Sequence, residues 1–289
     1  MVETEIDMKS IFLRVCLIAL CLAFLQGKAF AQEYEWKKIE IDGSRSGCKA
    51  VTLGSAKESI GRMEGKTYVA PSGRRIKGRT AKIAKLLLDS QDEMEPLKVI
   101  IGYAPENIYK AYPESPLSNL FIDRIMAAVE KESGKKMDMG IGNFGGIRKN
   151  AIYKDILVDD ICSMFPFSNQ IAYVVLKGSY LKNMVEKMAR TSFQVLGGVK
   201  IDVVDKKVTR FEIGGSPVED DKEYYVATIS FLLGSGDSMY LANEALEVRK
   251  FDKDIDEVFY EWIGEMTASG KDIVYGSDSR ITITNTQQK

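Results

Sequence analysis

Residues 115–148 read SPLSNLFIDRIMAAVEKESGKKMDMGIGNFGGIR and contain the signals of a helix, a strand and a glycine loop, in that order. Ser115 followed by Pro116 is a typical helix start, because serine caps free backbone amides and proline fits the first helical position. Apolar residues then recur at helical spacing until Gly134, where the helix is predicted to end. These residues are Leu117, Phe121, Ile125 and Val129. The apolar stretch 137–142 predicts a strand that leads into the glycine loop.

The sequence on the C-terminal side of this stretch continues with a mixture of helix and strand patterns. Helices and hairpins do not alternate strictly, so the pattern predicts an α+β fold with a mixed β-sheet and packed helices. We divide the chain into a leader at 1–31, a strand and helix region at 32–112, and one domain at 113–289. Further strands are predicted at 170–176, 199–204, 208–213 and 224–230, and a last helix at 256–266.

The composition is that of an ordinary globular protein, and it excludes several kinds of chemistry. The 289 residues include 40 Lys and Arg and 41 Asp and Glu, which gives a net charge of −1. Since positive and negative charges are nearly equal in number, the electrostatic potential far from the protein is weak. We therefore expect no general binding to nucleic acid or to anionic membranes. The chain has no histidine. This excludes a Ser-His-Asp or Cys-His relay, a His-ligated zinc site and an imidazole base.

The first 31 residues have the features of a secretory signal peptide. The apolar run IFLRVCLIALCLAFL at 11–25 follows Lys9, and the small-x-small sequence AFA at 29–31 provides a cleavage site. The alternative is a transmembrane anchor, for which the run is shorter than the roughly 20 residues that a bilayer requires. We therefore expect an exported chain, periplasmic or secreted, with no membrane association after cleavage.

Two features leave alternatives open. Cys48 and Cys162 remain after removal of the leader, and in an oxidising compartment they either pair or stay as free thiols. Residues 74–85 read RRIKGRTAKIAK, with six basic residues at the start of a helix predicted to end near Leu88. This basic cluster is either a solvated helix face or a contact for phosphate or for an acidic partner surface.

Two patterns resemble known motifs but lack their context. GIGNFG at 140–145 matches G-x-G-x-x-G, yet the residues that follow have no helical period, so no helix is available to bind a pyrophosphate. Asp252, Asp254 and Asp256 begin like a calcium loop, but the sixth position is Glu257 instead of glycine. We reject both motifs.

Four other loops share one chemical character, because each adjoins an apolar segment and combines glycine with polar or aromatic residues. Together they offer an arginine, aromatic faces, an amide, a carboxylate and free backbone amides. This inventory suits a ligand with a flat ring, hydroxyl groups and an anionic group. Taken singly, the same residues also fit turns, core packing and a surface ion pair. The loops are NFGGIR at 143–148, FPFSN at 165–169, QVLGG at 194–198 and FLLGSGDSMY at 231–240.

These motifs, in this order, resemble the C-terminal domain of the 5′-nucleotidases and UDP-sugar hydrolases. That family reads N-x-GGIR, PFGN, QVSG and VAT…F…GGDGY, and its opening helix reads E-x-PLGNL. The counterparts here are the loops above, the strand YYVATISF at 224–231 and SPLSNLFIDRI at 115–125. The resemblance covers about residues 113–270, and it implies the family's α+β fold and nucleotide recognition.

The resemblance also implies roles for individual residues. Phe167 and Phe231 match the phenylalanines that sandwich the base. Arg148 matches the arginine that contacts the charged or ribosyl portion of the substrate, and Asp237 matches an acceptor for ribose hydroxyls. The complete implied binding set is Asn143, Arg148, Phe167, Asn169, Gly197, Phe231 and Asp237.

The chain departs from the family in two respects. Four glycines of the motifs are replaced, and the arginines that some members place before the opening helix have no clear counterpart at 105–114. The family's preference for particular bases therefore does not transfer directly. The replacing residues are Phe144, Ser168, Ser235 and Ser238.

Family enzymes also carry an N-terminal metallophosphoesterase domain, whose two metals activate the attacking water. Residues 32–112 are too short for it, and the Asp, Asn and His ligands of the family include a residue type absent here. We therefore expect no catalytic residue, metal or cofactor in this chain, and divalent metals on a separate metallophosphoesterase partner. The alternative is a stand-alone nucleotide- or nucleoside-binding protein. No carboxylate spacing supports a third possibility, a phosphatase with a carboxylate-only Mg²⁺ site.

Overall fold

The computed structural model of the chain describes residues 60–286. Its first elements are a small antiparallel sheet of three strands and a helix that packs against the first two. The leader predicted at 1–31 and Cys48 lie outside the described residues. These first elements are β1 (Arg62–Glu64), β2 (Thr67–Val69), β3 (Arg75–Ile76) and α1 (Arg79–Asp89).

The rest of the described chain forms a larger unit of strands and helices. In chain order these are β4 (Ile100–Tyr109), α2 (Pro116–Ser133), β5 (Met139–Gly142), β6 (Ala151–Leu157), α3 (Val158–Met164), β7 (Gln170–Lys177), α4 (Gly178–Arg190), β8 (Val195–Gly197), β9 (Val199–Val204), β10 (Lys207–Ile213), β11 (Ser216–Pro217), β12 (Glu223–Ile229), α5 (Ser230–Leu233), β13 (Glu247–Asp254), α6 (Ile255–Ala268) and β14 (Ile281–Thr284).

The central sheet has five strands in the order β13-β7-β12-β5-β8. β12 and β5 run parallel, while the other neighbouring pairs are antiparallel. A second sheet, in the order β11-β10-β9-β14, also mixes both kinds of pairing. The predicted α+β fold with a mixed sheet is therefore confirmed.

α2 is the helix around which the core is built, and its sequence explains both of its ends. The side chain of Ser115 accepts a hydrogen bond from the backbone amide of Ser118, whose hydroxyl accepts from the amide of Ser115. Gly134 ends the helix with a φ of 68°, a conformation that suits glycine. The helix packs against the central sheet, where Gly140 and Gly197 face each other in paired strands.

β4 extends the folded unit upstream of residue 113. It pairs with β6 in an antiparallel ribbon, whose register shifts between Ile100 and Gly102 and again between Ala104 and Ile108. α6 packs against β4 and α2, so the ribbon belongs to the same core as the central sheet. A hydrogen bond of 2.8 Å from the amide of Lys110 to the carbonyl of Asn150 continues the pairing toward the glycine loop.

Glu114 connects the start of α2 to the end of the chain. Its carboxylate accepts hydrogen bonds from the backbone amides of Asp278, Ser279 and Ile281, at 2.9, 2.9 and 3.1 Å. It also accepts from the side-chain amide of Asn119 at 3.0 Å. Residues far apart in sequence therefore meet at one carboxylate, which holds β14 beside the helix start.

A buried ion pair strengthens the same connection. The guanidinium of Arg280, which is 8% exposed, donates to both carboxylate oxygens of Asp123 on α2, at 2.8 and 2.7 Å. Its Nε donates to Asp278 at 2.8 Å. The hydroxyl of Tyr275 also donates to Asp123. Because every charge in this cluster is hydrogen-bonded, the cluster stabilises the docking of the C-terminal segment.

Two further observations concern the predictions on compartment. None of the helices within residues 60–286 is long and apolar enough to cross a membrane. Cys162 is a half-buried free thiol whose Sγ lies 2.9 Å from the hydroxyl of Tyr260. A pairing of Cys162 with Cys48 stays a prediction, since Cys48 is not among the described residues.

Candidate functional site

The direction of the strands brings the four loops of interest to one edge of the central sheet. The loop 143–148 follows β5, and the loop 234–240 follows β12 and α5. β5 and β12 are parallel, so both loops leave the same edge. β7 and β8 run antiparallel to these strands, and the segments that precede them, 165–169 and 192–194, therefore lie at this edge too.

Asp237 joins three of these loops through hydrogen bonds. Its Oδ2 accepts from Asn143 Nδ2 and from Gln194 Nε2, both at 3.1 Å. The other oxygen, Oδ1, forms no hydrogen bond within the described residues. One carboxylate oxygen therefore fixes the loops, and the other is available to a ligand.

Asn143 is the most buried polar side chain of this edge, with 4% of its surface exposed. Its amide nitrogen donates to Asp237, while its Oδ1 has no hydrogen-bond partner among the described residues. Gly146 makes room for this oxygen, because a Cβ at position 146 would lie 2.5 Å from it. A buried acceptor without a partner is costly unless a donor reaches it.

Backbone geometry explains the residues that hold the loop 234–240. A Cβ at Gly236 would lie 2.2 Å from the carbonyl oxygen of Phe231, so the chain passes there only as glycine. Asp237 follows with a φ of 46°, in the left-handed region that Asp and Asn adopt more readily than most residues. This turn directs the carboxylate back toward Asn143.

Phe167 and Phe231 are exposed at 45% and 43%, which is unusual for phenylalanine. Phe231 lies in the first turn of α5, and Phe167 lies in the loop before β7. The amide of Asn169 donates to the carbonyl of Phe167 at 2.7 Å, which tightens that loop. Both rings line one cavity of about 330 Å³.

Arg148 lies beside the ring of Phe167. Its guanidinium carbon is 4.8 Å from the ring centroid, within the range of a cation–π interaction. The backbone amide of Arg148 donates to the carbonyl of Met164 at 2.9 Å, which fixes the end of the glycine loop. Arg148 forms no ion pair with any residue between 60 and 286, so its charge is available.

The cavity therefore brings together six of the seven residues that the sequence singled out. Gly197 is the exception, because it lies inside β8 beneath α2. A Cβ there would lie 2.8 Å from Met126 Sδ and 3.1 Å from Ile122, so its small size serves helix packing. The full lining is Asn143, Gly145, Gly146, Arg148, Phe167, Asn169, Phe231 and Asp237.

An adjoining cavity of about 720 Å³ shares Gly145 and Asp237 with the first. It contains Lys110, whose Nζ donates to the carbonyl of Ile147 in the glycine loop. Burial, and secondarily the charge of Arg148, lowers the pKa of Lys110 from its usual 10.5. The rest of its lining is Ala111, Tyr112, Phe144, Ser192, Phe193, Gln194 and Ser238.

Sequence reasoning did not identify Lys110 or Gln194 as site residues. Gln194 opens the QVLGG motif, in which the family resemblance implies a role for the glycine. Lys110 lies within 105–114, the stretch in which some family members carry arginines. A lysine at the end of a strand that pairs beside the glycine loop was the available signal.

This arrangement has the chemistry of a binding site for a polar aromatic ligand. It offers two aromatic rings, a free acceptor at Asn143, a free carboxylate oxygen at Asp237 and two cations. Within the described part of the chain, no group of three or more Cys, Asp or Glu side chains is placed to hold a metal ion. The described residues therefore do not fit a resident metal.

Comparisons with known proteins give matches to a family model and to curated sequences. Residues 100–244 match the model of a protein family described as "5′-nucleotidase, C-terminal domain". A 5′-nucleotidase of Vibrio cholerae is 29% identical over 117 residues, which are 39% of this chain and 21% of that protein. The protein UshA of Salmonella pullorum is 29% identical over 118 residues, with the same coverage. The chain thus spans about a fifth of the length of these curated relatives.

Solved structures show the same fold. A 5′-nucleotidase precursor from Thermus thermophilus superposes with a TM-score of 0.61 at 22% identity, over 75% of this chain and 45% of that one. An NAD nucleotidase from Haemophilus influenzae gives 0.54 at 15% identity, over 76% and 48%. At these identities the likeness concerns the fold alone.

Proposed function

Because the chain belongs to the family of 5′-nucleotidase C-terminal domains, we propose that it binds a nucleotide or nucleoside in the 330 Å³ cavity. In this proposal it is the substrate-recognition part of an exported 5′-nucleotidase-type phosphohydrolase. A separate metallophosphoesterase chain supplies the metals and the hydrolytic step. The alternative is a stand-alone nucleotide- or nucleoside-binding protein without a catalytic partner.

The observation that carries the proposal is the pair of exposed phenylalanines in one cavity. Phe167 and Phe231 come from loops more than sixty residues apart, yet both rings line the same cavity. A flat base that stacks on them covers apolar surface that is otherwise in water. Stacking of a base on an aromatic side chain contributes about 1–3 kcal/mol, and it tolerates any base because every base has a π-face.

Polar groups beside the rings complete the recognition of a nucleoside. The unpartnered Oδ1 of Asn143 accepts a hydrogen bond from an N–H or O–H of the ligand. The free Oδ1 of Asp237 accepts from ribose hydroxyls. Both side chains are already held by their mutual hydrogen bond, so little conformational freedom is lost when the ligand binds.

Two cations give the site a preference for a phosphorylated ligand. Neither Arg148 nor Lys110 forms an ion pair within residues 60–286, and each repels the other, since the charge of Arg148 contributes to the lowered pKa of Lys110. An anionic phosphoryl group near both cations removes this repulsion. The Arg148 guanidinium offers a fork of donors to phosphate oxygens, and Lys110 adds a second charge from the adjoining cavity.

Export and the catalytic partner rest on different features. Export is proposed from the predicted leader at 1–31. The partner is proposed because these 289 residues contain no histidine and because the described side chains offer no metal-binding cluster.

Calorimetric titration of the purified full chain with adenosine and AMP tests the binding site. We expect Phe167→Ala and Phe231→Ala each to weaken adenosine binding by about tenfold or more. Tyr153→Ala is the matched control, because Tyr153 is equally exposed at 52% but lies on the β4–β6 ribbon. Parent-like binding by both phenylalanine variants would show that the cavity is not the base site.

Phosphate release from AMP tests whether a separate chain supplies the hydrolytic step. We expect none from this chain alone with Mg²⁺, Mn²⁺ or Zn²⁺, and release on addition of a co-purifying metallophosphoesterase chain. Metal-dependent release by the chain alone that survives rigorous purification contradicts the need for a partner. Binding of adenosine without any stimulation of such a partner supports the stand-alone alternative.

A further inference from the structure

The helix α1 and the strand before it carry the strongest local charge of the described chain. Residues 74–85 contain six basic residues and no acidic one, in a chain whose total charge is −1. This basic cluster lies upstream of residues 100–244, which match the nucleotidase family. Its composition therefore calls for an explanation separate from nucleotide recognition.

One face of α1 packs against its own small sheet. Ala81 is 2% exposed, and Ala84 and Leu88 are half-buried on the same side of the helix. Residues three and four apart lie on one face of a helix, and this face contacts β1 and β2. Packing within the domain therefore uses two alanines and one leucine.

The opposite face of α1 exposes three large aliphatic side chains. Ile83, Leu86 and Leu87 are 61%, 68% and 56% exposed, and their spacing places them together on the side away from Ala81. Single exposed leucines are common, but three adjacent ones on a face that carries no packing indicate a contact surface.

Basic side chains surround this aliphatic face. Arg79 and Lys82 lie on the helix N-terminal to these aliphatic side chains, and Arg74 and Lys77 lie in the residues just before the helix. These four form no ion pair within residues 60–286. The other two basic residues are neutralised, since Arg75 pairs with Glu64 at 2.6 Å and Lys85 with Asp89 at 2.5 Å.

The positive charge around this face limits which partner can bind to it. A second copy of the chain would bring the same unpaired cations together. Residues 32–59 contain five acidic and five basic residues, so that segment offers no complementary charge. Protein interfaces are enriched in aromatic residues and depleted in lysine, whereas α1 has three exposed aliphatic side chains, lysines and no aromatic residue.

We propose that α1 binds the surface of an anionic lipid membrane, with Ile83, Leu86 and Leu87 inserted among the acyl chains and the basic cluster on the headgroups. Helices that lie in a membrane interface combine an aliphatic face with flanking Lys and Arg. Clusters of four to eight such cations on an amphipathic helix are typical of contacts with anionic lipids. The proposal departs from the expectation of no membrane association after cleavage. The balanced total charge gives no general attraction, so binding depends on this one segment.

Sedimentation of the full chain with vesicles tests the proposal. We expect binding to phosphatidylcholine vesicles that contain phosphatidylglycerol, weakened by salt, and at least about tenfold weaker binding to phosphatidylcholine alone. Arg79→Glu with Lys82→Glu, and separately Leu86→Ser with Leu87→Ser, should each reduce binding by about tenfold or more. The matched control is Lys206→Glu with Lys207→Glu, the same charge change in the exposed β9–β10 turn.

Three results would overturn the proposal. The first is no binding of the parent chain to the anionic vesicles. The second is equal loss of binding in the control variant, which indicates attraction by the whole chain. The third is concentration-dependent self-association that the Leu86→Ser and Leu87→Ser changes abolish, which assigns the face to a second copy. Adenosine binding by each variant reports correct folding independently.

Discussion

The hydrophobic core beneath the 330 Å³ cavity (the interior) and the residues that line that cavity (the rim) contain the same residue types. In the interior these residues pack against one another, whereas in the rim they are exposed to the cavity. Phe165 and Phe167 are separated by one residue, yet Phe165 is 5% exposed and its ring centroid lies 4.7 Å from that of Phe259 and 5.6 Å from that of Phe121. Phe167 is directed into the cavity instead. The pattern F-P-F thus divides one motif between the hydrophobic core and the candidate binding site.

The glycines show the same division. Gly197 is small because α2 packs on it, whereas Gly145 lines both cavities and a Cβ there would meet Asn143 only at 3.5 Å, an ordinary contact. A motif at the edge of this sheet therefore contains two kinds of residue. Interior members pack in the core, and rim members line the candidate binding site.

The largest effect is expected from the interior, at the ion pair of Arg280 and Asp123. Arg280→Ala leaves the Asp123 carboxylate without its two main donors, which costs about 3–5 kcal/mol of unfolding free energy. Urea denaturation followed by circular dichroism measures this loss. The control is Arg190→Ala, whose exposed pair with Glu186 at 3.5 Å contributes less than about 1 kcal/mol. Equal stability of the two variants would contradict the assignment of the buried pair.

Gly197→Ala tests whether that glycine serves packing in the interior or ligand binding at the rim. The added methyl group must displace Met126 and Ile122 and should reduce stability by about 1–3 kcal/mol. Adenosine affinity should not change while the protein is folded. Gly145→Ala, at an ordinary contact distance, is expected to leave the melting temperature nearly unchanged. A loss of affinity without a loss of stability in Gly197→Ala would return Gly197 to the binding site.

Asp237→Asn tests the rim without disturbing the backbone, because asparagine also tolerates the left-handed φ of 46°. The substitution removes the charge that accepts from ribose hydroxyls in the proposed function, and we expect adenosine affinity to fall about tenfold. The melting temperature should stay close to that of the parent. Titration calorimetry and a thermal scan of the same sample provide both readings. Unchanged affinity would place the ribose elsewhere.

The smallest effect concerns Lys110 and its pH dependence. In the proposed function the protonated amine attracts AMP, and burial together with Arg148 holds the pKa of Lys110 below 10.5. AMP affinity should therefore be full below that lowered pKa and should decline as the pH rises through it, before pH 10.5 is reached. Lys110→Met should weaken AMP binding severalfold at pH 7 and leave adenosine binding unchanged. Lys110→Arg stays charged throughout, and a decline that persists in this variant would rule out Lys110 as its source.

Local signals in the sequence were sufficient for much of the fold. The start of α2 at Ser115 and Pro116 and its end at Gly134 were confirmed, since capping and glycine conformations depend on neighbouring residues. The motif order also singled out four loops, and six of the residues named in them line one cavity. Loops at one edge of a sheet converge because strand direction places them there.

Contacts between distant residues could not be predicted in the same way. The pair of Arg280 and Asp123 joins positions 157 residues apart, and nothing local distinguishes either side chain from a solvated one. The sequence places Gly197 in a binding motif. In the structure it is Gln194, three residues earlier, whose side chain donates a hydrogen bond to Asp237. Ile83, Leu86 and Leu87 have the spacing of core residues, and only the structure shows that they are exposed.

The four hydrogen bonds to Glu114 have a consequence for biosynthesis. Three of their donors are backbone amides between residues 278 and 281, which lie 164 to 167 positions after Glu114. Until these residues have been synthesised, the carboxylate at the start of α2 lacks these partners, and β9 lacks its parallel neighbour β14. A nascent polypeptide therefore completes this part of its fold only after residues 278–284 have left the ribosome.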